Sequence, residues 1–118
     1  MQEYVRHRIS QASEHLKELR SLTEHCTDGC GTFMCNKAFR TECCSLVCKA
    51  CECMDRAYRA DPEYFIGTFS IRPEDIADIE VNLLREYGPP DDDAAWKIVS
   101  EEMPAWEKEI LHALESPD

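Results

Sequence analysis

Apolar residues recur every three or four positions through the first part of the chain. The repeat extends from about residue 2 to residue 24 and comprises Tyr4, Val5, Ile9, Ala12, Leu16, Leu19 and Leu22. Because positions three and four apart share one side of an α-helix, this spacing predicts a helix that packs along a single narrow stripe. The segment Asp28–Gly31 contains two glycines and predicts a turn after this helix.

Three further helices are predicted from periodicity and from the residues at their ends. The second covers about residues 38 to 60. The third starts at Pro73, because proline is favoured at the first helical position, and ends before Gly88. The fourth follows Asp91–Asp93, and Pro104 is expected to end or kink it because proline lacks a backbone N–H.

Strand-like alternation is confined to Tyr64–Ile71, so the sequence predicts an all-α fold. We expect a small helical bundle of about four helices around a cysteine-rich zinc-binding loop. The length of 118 residues predicts a single domain, with a helix-loop-helix zinc module at residues 1–60 and an acidic helical half at residues 61–118.

The residues after Met1 are polar and charged, and no apolar run approaches the ~18 residues of a membrane span. We therefore expect a soluble, intracellular protein of the cytoplasm or nucleus that makes no membrane contact.

The formal charge of −11 is concentrated in the second half of the chain. Residues 61–118 contain sixteen acidic and four basic residues, a net charge of −12, whereas residues 1–25 and 26–60 carry 0 and +1. Direct nucleic-acid binding needs a clustered basic face, so this composition argues against it. The acidic half is interpreted either as a solvated surface that maintains solubility or as a surface that binds a basic protein partner.

All eight cysteines lie between Cys26 and Cys53. Disulfides of small secreted domains usually connect distant segments, and intracellular thiols stay reduced, so this clustering favours a local metal site. Zinc is the expected metal, with one ion per chain and two ions as the alternative. A disulfide framework, copper(I), an iron–sulfur cluster and redox sensing are the other interpretations of the same residues.

The predicted zinc ligands are four cysteines, namely Cys26, Cys30, Cys35 and Cys48. The first three lie on the predicted turn, where a glycine-containing chain can bring three sulfurs around one ion. Cys48 shares one side of the second helix with Cys44 and Cys51, and it would complete a closed shell of four sulfurs.

The remaining candidate ligands are Cys43, Cys44, Cys51, Cys53 and His25. Cys43 and Cys53 are expected to point away from the helix face that Cys48 occupies, and they could join a second ion. His25 is a candidate because it adjoins Cys26. The alternative for Cys44, Cys48 and Cys51 is that they are ordinary core residues, because cysteine is often buried as a small hydrophobe.

The run Leu22-Thr23-Glu24-His25-Cys26, followed by the closely spaced Cys30 and Cys35, resembles the amino-terminal zinc-binding domain of the Angelman-syndrome class of HECT ubiquitin ligases. The similarity covers about residues 12–60 and requires a one-residue gap between Cys26 and Cys30. It implies a helix, a cysteine-bearing loop and a second helix around one zinc held by four cysteines. It also implies recruitment of a proteasomal ubiquitin receptor.

The resemblance departs from the family pattern at the fourth ligand. The family places that ligand at the end of its second helix, where this chain has no cysteine. An earlier residue would have to replace it, either Cys48, Cys51 or Cys53. Residues 61–118 have no counterpart in the family domain.

The sequence contains no catalytic signature such as H-E-x-x-H, G-x-S-x-G or a phosphate-binding glycine loop, so we expect a non-enzymatic protein. The leading hypothesis is a zinc-stabilised protein–protein interaction module whose acidic surface binds a partner with a basic surface. The alternatives are a thiol-based metal or redox sensor and an acidic inhibitor that mimics nucleic acid. Trp96 and Trp106 are interpreted as core anchors, with a partner-binding aromatic pair as the alternative.

Overall fold

The computed structural model describes residues 1–24, 29–83 and 92–115. Its α-helices are Glu3–Glu24 (α1), Gly29–Cys35 (α2), Lys37–Ala60 (α3), Pro62–Thr68 (α4), Pro73–Leu83 (α5), Asp92–Lys97 (α6) and Met103–Glu115 (α7), and a π-helical segment, Ile98–Glu102, joins α6 to α7. These ranges contain no strand, so the predicted all-α class is confirmed. The chain is divided into more helical segments than the four or so expected.

The most extensive helix–helix contact in the described part of the chain joins α1 and α3. The buried residues of α1 are five of the predicted stripe positions, Val5, Ile9, Ala12, Leu16 and Leu19. The buried residues of α3 are Cys43, Leu46, Val47, Ala50, Cys51, Cys53, Met54 and Ala57. Both sets recur with the helical period, and the burial of two facing apolar stripes stabilises the helix pair.

One side-chain cap begins α3, and a second begins α4 where α3 ends. The Asn36 Oδ1 accepts a hydrogen bond from the backbone N–H of Phe39 at 3.1 Å, at the start of the helix. Asp61 ends α3, and its Oδ1 accepts from the backbone N–H of Tyr64 at 3.2 Å, where Pro62 begins α4. Such caps satisfy N–H groups that have no partner inside a helix. The predicted end of the second helix near residue 60 is therefore confirmed.

The one segment with strand-like alternation, Tyr64–Ile71, is not a strand, because most of it belongs to α4. Phe65 and Phe69 are four residues apart and both are buried, with ring centroids separated by 4.9 Å. Tyr58 packs edge-on against Phe65 at 5.7 Å. Asp61 and Pro62 start the helix, and this aromatic cluster then favours helical spacing over alternation.

The π-helical segment Ile98–Glu102 accommodates Pro104, which neither ends the helix nor separates α6 from α7. The Met103 N–H donates to the Ile98 carbonyl, which lies five residues earlier, as in a π-helix. The Ser100 hydroxyl donates to the Trp96 carbonyl at 2.7 Å, at the junction with α6. A wider turn before a proline relieves the clash that its ring would cause in a regular α-helix.

Helix α7 is held by hydrogen bonds from two other parts of the chain. The Arg6 guanidinium donates to the carbonyl of Leu114 at 2.9 Å, where a cation is favoured by the helix dipole. The Glu109 carboxylate accepts from both the backbone N–H and the hydroxyl of Ser70, each at 2.8 Å. These contacts connect α7 to α1 and to the segment between α4 and α5.

Helix α5 begins at Pro73, as predicted. The Asp75 Oδ2 accepts from the backbone N–H of Arg72 at 3.1 Å, which completes a capping arrangement at this end. The predicted end before Gly88 lies outside the described residues. The described helix continues to Leu83 and contacts both α3 and α6.

Candidate functional site

The cysteines predicted to lie on a turn are found on a short helix. Cys30 and Cys35 both belong to α2, so their assignment to a turn is wrong. Cys35 is exposed at the end of α2. His25 and Cys26 lie outside the described residues, as does the side chain of Cys30.

Contacts from elsewhere in the fold hold α2 in place. Phe33 is fully buried, and its ring centroid lies 5.2 Å from that of Trp96 and 6.4 Å from that of Phe39. The Arg40 guanidinium donates to the carbonyls of Phe33 and Met34, each at 3.1 Å. These bonds satisfy carbonyls at the C-terminal end of α2, which have no partner inside the helix. Long-range contacts therefore outweigh the local preference of two glycines for a turn.

The five cysteines of α3 differ in burial. Cys43, Cys51 and Cys53 are core residues, whereas Cys44 and Cys48 are half-buried at the edge of the helix face. Of the three cysteines for which a core position was the alternative, Cys44, Cys48 and Cys51, only Cys51 belongs to the core. Cys43 and Cys53, which were expected to point away from that face, are buried as well. Free thiols in the described part include those of Cys48, Cys51 and Cys53.

Burial raises the pKa of the Cys48, Cys51 and Cys53 thiols. The carboxylate of Glu80 on α5 raises the pKa of Cys48 and Cys51 further, because a nearby negative charge opposes thiolate formation. Thiol–disulfide exchange proceeds through the thiolate. These three thiols are therefore poorly suited to redox sensing.

Cys35 and Cys48 do not lie close enough to bind one zinc ion. Cys35 adjoins Asn36 at the start of α3, and a rise of 1.5 Å per residue places Cys48 about 18 Å from Asn36 along the helix. Two cysteine sulfurs on one zinc lie within about 4 Å of each other, since each Zn–S bond is about 2.3 Å. Within residues 1–24, 29–83 and 92–115, no group of three or more His, Cys, Asp or Glu side chains is arranged to hold a metal ion.

A cleft of about 390 Å³ lies between α5 and the continuous α6–α7 segment. The lining residues are Asp75, Asp78, Ile79, Ala94, Lys97, Ile98, Glu102 and Trp106. Ile79, Ile98 and Trp106 belong to the core and form the apolar part of the surface. The carboxylates come from exposed residues, Asp75 and Asp78 of α5 and Glu102 of the π-helical segment. We call this feature the acidic cleft.

Ion pairing differs between the acidic cleft and α3. On α3, Arg56 pairs with Glu52 at 2.7 Å and Arg59 with Asp55 at 3.0 Å, each across one helical turn. Asp78 and Glu102 form no ion pair with any residue of the described ranges. Among the described residues, the Asp78 and Glu102 carboxylates thus lack an ion-pair partner, and Lys97 is the cation that shares the cleft with them.

A buried acid of α7, Glu107, has a structural role. Glu107 of α7 is 8% exposed, and its Oε1 lies 3.5 Å from the Arg20 Nε of α1. The adjoining cavity, between Leu16 and Met103, has a volume of about 40 Å³. Ligand pockets are usually several hundred Å³, so this cavity is too small for a ligand beyond a few water molecules.

Comparisons with protein-family models, with curated proteins and with solved structures give no match to this chain. The resemblance to the zinc-binding domain of HECT ligases therefore stays a prediction. Among the described helices, none combines the length and the apolar character that crossing a membrane requires. Functional inference depends on the geometry of the chain itself.

The sequence indicated the acidic half but did not identify the cleft within it. Asp91–Asp93 carry the densest run of acids, yet their side chains lie outside the described part. The cleft instead combines Asp75 and Asp78 with Glu102, which is more than twenty positions away. The repeat of acids at positions 75 and 78 was a usable signal, because both lie on one side of α5. Trp106 is a core residue, as interpreted, and it also lines the cleft.

Proposed function

We propose that this protein is a non-enzymatic protein–protein interaction module whose acidic helices bind a partner with a basic surface. The observation that carries the proposal is a set of exposed acids on α5 and the π-helical segment that form no ion pair with any described residue, which comprises Glu74, Asp75, Asp78, Glu101 and Glu102. Unpaired carboxylates of one sign produce a field that attracts cationic surfaces and accelerates association.

Val81 of α5 is 66% exposed and lies three positions after Asp78, so it would add apolar contact to a partner bound at these acids. A single exposed aliphatic residue is common on protein surfaces, so it is the charge of the acids that supports a binding surface. The segment with these features belongs to residues 61–118, whose net charge is −12.

A zinc ion is the second part of the proposal. The supporting feature is the spacing of Cys26, Cys30 and Cys35 within ten residues, because thiolates are the preferred ligands of structural zinc. The position of Cys48 along α3 limits its role, so His25 or a cysteine nearer the start of α3 is the better fourth donor. Cys30 and Cys35 are five positions apart in α2, which places them roughly 140° apart around a regular helix, so zinc binding by both would require one end of α2 to unwind. Such a closed site would leave no open position for catalysis.

The binding test uses a fluorescein-labelled, lysine-rich peptide as the basic probe and measures its anisotropy with the purified full chain. We expect binding that weakens as salt rises through about 0.1 M, where the screening length is about 10 Å. Reversal of Glu74 and Glu101 to lysine should weaken binding of the peptide relative to the wild-type chain at the same salt concentration. The matched control reverses Glu14 and Glu18, two exposed acids on α1 in the neutral part of the chain. Equal losses in both pairs, or binding that is insensitive to salt, would contradict the proposal.

A further inference from the structure

The acidic cleft has the composition of a pocket for one cationic side chain. Its apolar surface comes from Ile79, Ile98 and Trp106, each no more than 6% exposed. Carboxylates stand on both sides, from Asp78 on α5 and from Glu102 on the π-helical segment. An apolar surface below two carboxylates suits a side chain with a hydrophobic stem and a positive end.

The same features exclude other classes of ligand. The Asp75 Oδ2 is engaged by the Arg72 N–H at 3.1 Å, and no group of three donors in the described ranges is arranged for a metal ion. An anionic ligand would meet three carboxylates and a single ammonium, that of Lys97. Pockets for small organic molecules enclose most of the ligand and present buried polar groups, whereas the acids of this cleft are exposed.

We propose that the acidic cleft binds an arginine side chain of the basic partner, an inference that rests on the proposed function. A guanidinium is planar and weakly hydrated, so it can lie against the apolar surface of the cleft and pair with a carboxylate through two hydrogen bonds. A lysine ammonium is strongly hydrated and gains less from an apolar surface. The volume of about 390 Å³ is sufficient for one side chain.

Lys97 allows a test of the arginine site with the opposite expected effect. It is the one cation among the described residues that line the cleft, and no ion pair in the described part neutralises it. A bound guanidinium would be repelled by the Lys97 ammonium. Replacement of Lys97 by glutamine should therefore strengthen binding, whereas replacement of a cleft carboxylate should weaken it.

The experiment compares two peptides and two pairs of variants by fluorescence anisotropy, with thermal unfolding as a check on folding. One lysine-rich peptide carries a single central arginine, and the other carries citrulline, its neutral isostere, at that position. The cleft variants are Asp78→Asn and Glu102→Gln. The matched controls are Glu74→Gln and Glu101→Gln, which remove the same charge from the same helical segments outside the cleft lining.

We expect each cleft variant to weaken binding of the arginine peptide by about three- to tenfold and each control by less than twofold. Lys97→Gln should strengthen it, and the citrulline peptide should lose the difference between cleft and control variants. If cleft and control variants weaken binding equally, the arginine pocket is overturned while the acidic binding surface stands. If the arginine peptide does not bind the wild-type chain at all, both proposals fail.

Discussion

The α1–α3 pair and the α5–α7 segment use charge in opposite ways. On α3, Arg56 and Arg59 each pair with an acid one turn earlier. Asp78 and Glu102 of the acidic cleft have no such partner in the described part of the chain. Burial differs as well, since α1 and α3 meet through two apolar stripes, whereas α5 and α6–α7 leave a cleft between them. The helix pair thus forms the most extensive helix contact of the described fold, whereas the cleft leaves carboxylates without ion-pair partners there, as the proposed binding surface requires.

The cysteines likewise fall into a buried group and an exposed one. Cys43 and Cys51 are fully buried on α3 and contribute to the core that stabilises the helix pair. Cys35 is exposed on α2, where packing gives no reason for a thiol. We therefore expect substitution of the buried cysteines and of the exposed cysteines to have different effects. Three predictions test the comparison between the helix pair and the acidic segment.

The largest expected effect concerns zinc at the start of the helix pair. Replacement of Cys30 by serine should reduce bound zinc from about one ion per chain to almost none, because a tetrahedral site loses one of its four ligands. The free energy that zinc contributes, which reaches about 10 kcal/mol in zinc-finger peptides, would be lost in large part. Zinc content of protein purified under reducing conditions, measured by elemental analysis, provides the test.

Cys53→Ser is the matched control for the zinc prediction. Cys53 is 8% exposed, so serine should lower stability at that core position, although the zinc content should stay unchanged. Loss of zinc in both variants would show that the division between ligand and core cysteines is incorrect. A wild-type chain without zinc, with its thiols joined in disulfides, would refute the metal site itself.

The next effect concerns the core of the helix pair. Met54 is fully buried on α3, so Met54→Ala should lower the free energy of unfolding by about 2–5 kcal/mol through lost burial and a residual cavity. Leu111→Ala removes a comparable side chain from an exposed position of α7 and should change the free energy of unfolding by less than about 0.5 kcal/mol. Urea unfolding of both variants measures the difference. Similar losses would remove the contrast between the stabilising pair and the acidic segment.

The sequence predicted the elements whose signals are local. The apolar stripe of α1, the Asp61 stop of α3 and the Pro73 start of α5 each depend on neighbouring residues, and each is confirmed. Helix α2 was missed because it is held by the ring contact between Phe33 and Trp96, which lie more than sixty positions apart. A contact at that separation leaves no local pattern in the sequence. Pro104 was expected to end or kink the fourth helix; it does not end it, and the helix departs from α-helical geometry in a π-helical turn just before the proline, which no local pattern specified.

The candidate site was less predictable than the fold for the same reason. The sequence located the acids and the thiols, but it did not show which of them share a surface. Asp78 and Glu102 line one cleft only because α5 packs beside the α6–α7 segment. Cys48 was chosen because it shares a helix face with Cys44 and Cys51, yet distance along α3 separates it from Cys35 by several turns.

The smallest expected effect lies where the two regions meet, at Glu80 of α5. Burial raises the pKa of the Glu80 carboxyl, and the Asp55 and Glu52 carboxylates of α3 raise that pKa further. A carboxyl whose pKa is higher in the folded state than in the unfolded state, where it is about 4.3, stabilises the fold only while protonated. That contribution is complete below the unfolded value and is lost as pH rises through the folded value. Wild-type protein at pH 7 therefore carries a cost that Glu80→Gln removes.

Glu80→Gln should raise the free energy of unfolding at pH 7 by a few tenths of a kcal/mol, since Glu80 is only half-buried and like-charge contacts on helix surfaces cost about that much. At a pH below about 4 the difference should vanish, because wild-type Glu80 is then neutral in both states. Asp78→Asn controls for the loss of one charge from the same helix, and urea unfolding at both pH values gives the comparison. A stabilisation that persists at low pH would mean that Glu80→Gln acts through packing. In that case the charge of Glu80 would not explain the difference between the acidic segment and the helix pair where α5 meets α3.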